Sequence, residues 1–131
     1  MKPCRYALLI LLFTLLLGCD FQKEADAKFG DQNFKTAIAL IELHKVRYGH
    51  YPEQLSDIKY AGDWDGIGTS SVEYKRIGNG YELNITRGWV GAPTLSYPPD
   101  FWQGLGIVAT NVGGLTKRQA ASAASAAQAA R

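Results

Sequence analysis

A row of side chains at helical spacing, Phe34, Ile38, Ile41, Lys45 and Tyr48, widened by Ala37, Leu40 and His44, constrains this chain more than any other feature. The stripe predicts an amphipathic helix from about residue 31, with Asp31 or Asn33 suited to cap its start. Tyr48-Gly49 followed by Tyr51-Pro52 ends it, because glycine takes the left-handed conformation that follows a helix. Leu55 and Ile58 suggest one short turn before Gly62. A helix with one apolar stripe must bury it against a second layer. Asn79-Gly80, the strongest two-residue hairpin signal, supplies that layer. A turn there sets Arg76 opposite Leu83, Lys75 opposite Asn84 and Tyr74 opposite Ile85. Val72, Tyr74, Tyr81, Leu83 and Ile85 then share an apolar face, and Glu73, Lys75, Glu82, Asn84 and Thr86 share a wet one. Thr94 to Tyr97 and Leu105 to Val112 read as further strands. The expected fold class is α+β, with one main N-terminal helix packed on a small antiparallel sheet.

Length and charge narrow the function. A chain of 131 residues holds one small domain. Of its 14 Lys and Arg, Lys2 and Arg5 lie in a leader, which leaves 12 basic against 12 acidic side chains. A balanced chain with scattered basic residues has no electrostatic reason to seek nucleic acid.

That leader is short and basic (Met1 to Tyr6), followed by 11 uncharged residues, Ala7 to Leu17. As a helix the run is roughly 17 Å long against a hydrocarbon core of about 30 Å, the length of a secretory signal and not of a span. Leu16-Leu17-Gly18-Cys19 resembles the lipobox of bacterial lipoproteins. The resemblance implies that Leu16, Leu17 and Gly18 are read by the signal peptidase. Cys19 then becomes the first residue of the mature chain and carries acyl chains on its sulfur and amine. At about 0.8 kcal/mol per buried methylene, two or three long chains give a lasting anchor. Asp20, next to the lipidated position, implies retention in the inner membrane of a Gram-negative envelope. Cys4 falls in the leader, so no disulfide is expected. The expected organisation is a signal peptide at 1–18, a polar tether at 19–30, the α+β domain at 31–115 and an alanine-rich tail at 116–131. That tail, with eight alanines in 16 residues, is expected to be mobile or weakly helical.

The order of helix, Tyr48-Gly49-His50-Tyr51-Pro52, Leu55-Ser56-Asp57-Ile58 and hairpin resembles the periplasmic half of type II secretion pseudopilins and type IV pilins, over roughly residues 34–86. It implies a helix ending in a G-x-Y-P stretch and packed on a small antiparallel sheet. One departure matters. Those subunits keep a long apolar assembly helix after the cut, whereas here the apolar run precedes a lipidated cysteine. The resemblance therefore implies fold and not polymerisation.

Candidate chemistry is sparse. Asp63-Trp64-Asp65-Gly66 has two carboxylates and a glycine that can open a calcium loop, yet Ile67 and Tyr74 stand where an EF-hand needs oxygen ligands. Asp63 and Asp65 are read mainly as a polar turn. His44 and His50 are six residues apart and cannot pair as i, i+4 ligands. No serine has a nucleophile setting. The expectation is a non-enzyme without cofactor or metal. Trp89 to Trp102 concentrates aromatics among Pro and Gly; most of these rings are expected to close an otherwise thin core, with Tyr97, Phe101 and Trp102 as the candidate partner-binding residues. The leading reading is a lipid-anchored envelope protein on the periplasmic side that binds an unidentified protein partner, with secretion or pilus-type machinery in view. An immunity or inhibitor lipoprotein directed at a toxin or lytic enzyme, and a glycan binder, share the same features.

Overall fold

The computed structural model describes residues 3–59 and 62–129, and leaves out the side chains at 3–5, 8, 9, 12, 14–17, 19 and 127. The fold is α+β: a long helix packed on a three-stranded sheet. Helix α1 runs from Pro3 to Tyr48 without a break, 46 residues, about 69 Å at 1.5 Å per residue. It ends where expected. Gly49 is left-handed at φ 79°, and its N–H donates to the Lys45 carbonyl at 2.9 Å.

The start differs from expectation. Neither Asp31 nor Asn33 caps the helix, and residues 20–30, read as a tether, are helical throughout. Good helix formers fill this segment, and Glu24 and Lys28 pair at i, i+4, 2.8 Å apart. Tertiary contacts reinforce it. Gly30 is buried so tightly that a Cβ there would lie 2.3 Å from Pro93 Cγ.

A short 3-10 turn at Leu55–Asp57 matches the expected turn. The segment around Asp63 is a two-turn helix, α2 (Asp63–Ser70), and not a loop turn. Its N-terminus is fixed by the Asp65 carboxylate, which accepts from the Gly62 N–H at 2.8 Å. Gly68 lets it approach α1, since a Cβ there would meet Thr36 at 3.1 Å.

Strands β1 (Val72–Ile77) and β2 (Gly80–Ile85) pair antiparallel, with Val72 opposite Ile85, Tyr74 opposite Leu83 and Ile77 opposite Gly80. The loop residues are therefore Gly78 and Asn79, and each pairing moves by two positions from the expected register. A two-residue slip preserves the pleat, so the apolar face survives. The reason lies across the sheet. Gly80 is pressed against the next strand, where a Cβ would be 2.7 Å from the Gly106 carbonyl, and Gly78 takes the positive φ of 59° instead.

Strand β3 (Ile107–Ala109) lies parallel to β2, so the sheet is mixed and not purely antiparallel. The long connection from Ile85 returns the chain to the same end before β3 begins, as a parallel neighbour requires. Thr94 to Tyr97 forms only a single bridge, Ser96 to Gly113, before Pro98 and Pro99 lead into a 3-10 turn ending at Trp102. The tail forms helix α3 (Lys117–Ala129). Thr116 starts it with a reciprocal cap: its N–H donates to Gln119 Oε1 at 3.1 Å, and its hydroxyl accepts from the Gln119 N–H at 3.3 Å.

The core lies between α1 and the sheet. Phe34, Ala37, Ile38 and Ile41 meet Tyr81, Leu83, Ile85 and Ile107, closed at one end by Trp102 and Val112 and at the other by Tyr51. Glu42 brings a carboxylate to the edge of this core. Its carboxylate accepts from the Tyr81 hydroxyl at 2.8 Å, the Tyr51 hydroxyl at 3.0 Å and the Gly106 N–H at 3.0 Å. Burial, and then the Glu42 charge, push the Tyr81 phenol well above its ordinary pKa.

Candidate functional site

Of the candidate partner-binding aromatics, Trp102 closes the core, and Tyr97 and Phe101 pack half-buried against it. Trp102 is 3% exposed and packs edge-on against Phe34 and Phe101. Tyr97 stacks on Phe101 with ring centroids 4.1 Å apart. Its hydroxyl donates to Asp31 Oδ1 at 2.8 Å, and burial followed by that hydrogen bond raises its pKa. A ring packed on both sides offers no stacking face, and Trp102 is unavailable to a glycan or a partner. The Gly- and Pro-rich setting is what a chain needs to fold three large rings back over one helix.

The other candidates are also placed. Asp65 is the cap of α2, and Asp63 is exposed beside it. No three His, Cys, Asp or Glu side chains converge among the described residues. The rings of His44 and His50 lie 5.6 Å apart. His44 is buried with neither ring nitrogen hydrogen-bonded, and desolvation, then His50, lower its pKa. Gly18 and Asp20 are exposed on α1, whereas the side chains of Leu16, Leu17 and Cys19 lie outside the described residues. Among the described residues no helix is long and apolar enough to cross a membrane.

An unexpected site lies where α1 passes the 88–91 loop. Asp26 is buried, and its Oδ1 accepts three consecutive backbone N–H groups: Trp89 at 2.9 Å, Val90 at 2.7 Å and Gly91 at 2.9 Å. Three convergent donors favour the ionised form, so the carboxyl titrates below its usual range, with the Val90 bond first in effect. The loop also closes on itself through Gly88 N–H to the Gly91 carbonyl at 2.8 Å. Gly88 has no alternative, since a Cβ would sit 2.1 Å from the Asp26 carbonyl oxygen.

This arrangement holds Trp89 and Val90 out of the protein, 53% and 61% exposed. The Trp89 ring meets Phe21 edge-on at 6.3 Å and stacks over Phe29 at 6.4 Å, two residues that are themselves 66% and 52% exposed. Beside Phe29, between α1 and α2, runs a groove of about 550 Å³ bordered by Trp64 and Ile67. The sequence signal for this site is the Gly88-Trp89-Val90-Gly91 run, two large apolar residues between glycines. No spacing rule links it to Asp26.

Comparison with known proteins finds no matching family model, no matching curated protein and no matching solved structure.

Proposed function

We propose that this protein is a lipid-anchored bacterial envelope lipoprotein, acylated at Cys19, that serves as a non-catalytic protein-interaction module on the periplasmic side. Asp20 supports retention in the inner membrane if the envelope is Gram-negative. The pilin-like build fits a role beside secretion or pilus-type machinery, without polymerisation. One observation carries the reading: α1 is continuous from the lipobox-like sequence to Tyr48. It therefore carries the domain rigidly away from the anchor, and Val46 stands roughly 40 Å along the axis from Cys19.

At that distal end Ala39, Leu43 and Val46 form an exposed row at i, i+4 and i+7, with Val46 81% exposed. An apolar row on the outer face of a helix suits docking against a helix or groove of a partner. A non-catalytic role is supported by the structural use of the polar groups that chemistry would need. Asp26, Asp31, Glu42 and Asp65 all hold backbone or tyrosine donors in place.

The test has two parts. Metabolic labelling with an alkyne fatty acid should mark the wild-type chain and not Cys19→Ser. Crosslinking in cells followed by mild-detergent purification should then recover one dominant protein, lost in a Leu43→Ser/Val46→Ser double variant. Its identity separates assembly machinery from a toxin or lytic enzyme. Absence of label on the wild-type chain would sink the anchor, and absence of any dominant partner would sink the interaction role.

A further inference from the structure

We propose that Phe21, Phe29, Trp89 and Val90 form a face that docks into the interfacial layer of a lipid bilayer, so that the edge of the domain nearest Cys19 touches the membrane while its distal end stands away from it. This rests on the lipid-anchor reading for the position of the bilayer. The face itself rests on geometry.

Position is the first argument. Phe21 is two residues beyond Cys19, about 3 Å along the helix axis, and Phe29 is ten residues beyond, about 15 Å. Acyl chains on Cys19 start in the hydrocarbon, and the headgroup layer is the next several ångströms outward. Phe21 and the Trp89 ring that touches it fall in that layer. Phe29 reaches it once the helix leans toward this face. The helical, loop-bound state of residues 20–30 fixes Phe21, Phe29 and Trp89 relative to one another.

Chemistry is the second argument. Four large apolar side chains, each more than half exposed, lie together around one indole. Tryptophan combines a broad apolar face with one N–H donor and is enriched at membrane–water interfaces for that reason. The loop that carries it is also prepared for a layer poor in water. The N–H groups of Trp89, Val90 and Gly91 all end on Asp26 Oδ1, so the tip brings no unsatisfied backbone donors with it. A lipid surface is favoured over a protein partner because the face begins at the lipid attachment point. A protein seated there would have to occupy the same headgroup layer.

The experiment uses the full lipidated chain reconstituted in phosphatidylcholine–phosphatidylglycerol vesicles whose acyl chains are brominated near the headgroup or near the bilayer centre. The expected result is strong quenching of tryptophan emission by the shallow bromines and less by the deep ones. Most of the shallow quenching should be lost in Trp89→Phe and kept in Trp64→Phe. The emission of buried Trp102 reports that each variant is folded. Vesicles that carry the protein on flotation while leaving Trp89 unquenched would overturn the docking face alone, and so would crosslinks from position 89 to a protein or a second copy in place of quenching. Failure to float would overturn the anchor and the docking together.

Discussion

The Oδ1 atom of Asp26 lies 2.7 Å from the backbone nitrogen of Val90, 64 residues further along the chain. That contact ties the middle of α1 to the loop that follows β2. It also converts a segment of ordinary polar composition into a structural part of the domain. Helix formation here is not decided by propensity alone, because Asp26, a poor helix former on a free helix, has a buried and satisfied place on this one.

Asp26 predicts a pH dependence of known sign. Its folded pKa is depressed, so its contribution is complete above the ordinary Asp value of about 3.9 and disappears as pH falls through the lower folded value. Amide shifts of Trp89, Val90 and Gly91 followed by NMR should titrate together with a midpoint below about 3.9. Asp26→Asn should abolish that transition and speed hydrogen exchange at the three amides. A midpoint at or above the ordinary value would contradict the assignment.

His44 should act at higher pH. Its neutral form is the one the fold accommodates, since desolvation and His50 depress its pKa. Stability is then full above the unfolded value of about 6.5 and declines as pH falls from there toward the folded value. His44→Leu should remove this decline. It should also be neutral or stabilising by about 1 kcal/mol at pH 8, because two unpaired ring nitrogens leave the interior. Urea unfolding at a series of pH values reads both.

Glu42 should be the most sensitive polar position on α1. Glu42→Ala orphans the hydroxyl of Tyr81, a fully buried residue, and the Gly106 N–H, at a cost of about 3 kcal/mol. Glu42→Gln keeps an acceptor oxygen and should lose about 1 kcal/mol. Equal losses in denaturant melts would show that the charge matters more than satisfaction of the donors.

Two glycines make a paired steric test. Gly88→Ala places a Cβ against the Asp26 main chain and should cost about 2 kcal/mol or more. Gly66, inside α2, has nothing within 4 Å of a built Cβ, and Gly66→Ala should stabilise by roughly 0.5–1 kcal/mol. Thermal melts of the two variants should move in opposite directions.

The sequence was most legible where periodicity carried the information. The stripe from Phe34 to Ile41 and the faces of the hairpin both lie where alternation puts them, because burial selects one face and a register shift of two cannot change it. The exact turn was not legible, since Gly78-Asn79-Gly80 offers two overlapping turn pairs and only the approach of Gly106 to Gly80 decides between them. The parallel course of β3 depends on the path of a long connection, which has no local signature. Trp102 and Tyr97 looked exposed by their Pro- and Gly-rich setting and are packed, whereas Trp89 is the exposed ring. The Thr116-x-x-Gln119 cap was readable and marks the start of α3. The Asp26 site was not, because its three donors are backbone groups and leave no trace in composition.

Under the proposed acylation of Cys19, α1 becomes both lever and anchor, and it has a torsional phase. Each residue added between Cys19 and Asp26 would turn the anchor by about 100° relative to the domain and lengthen the stalk by only about 1.5 Å. Insertions of one or two residues should therefore swing the anchor to a different side of the molecule, while insertions of three or four nearly restore its bearing. A flexible stalk would respond to length alone. The proposed anchor on α1 is sensitive to azimuth, so that a residue count would set which face the domain presents to the membrane.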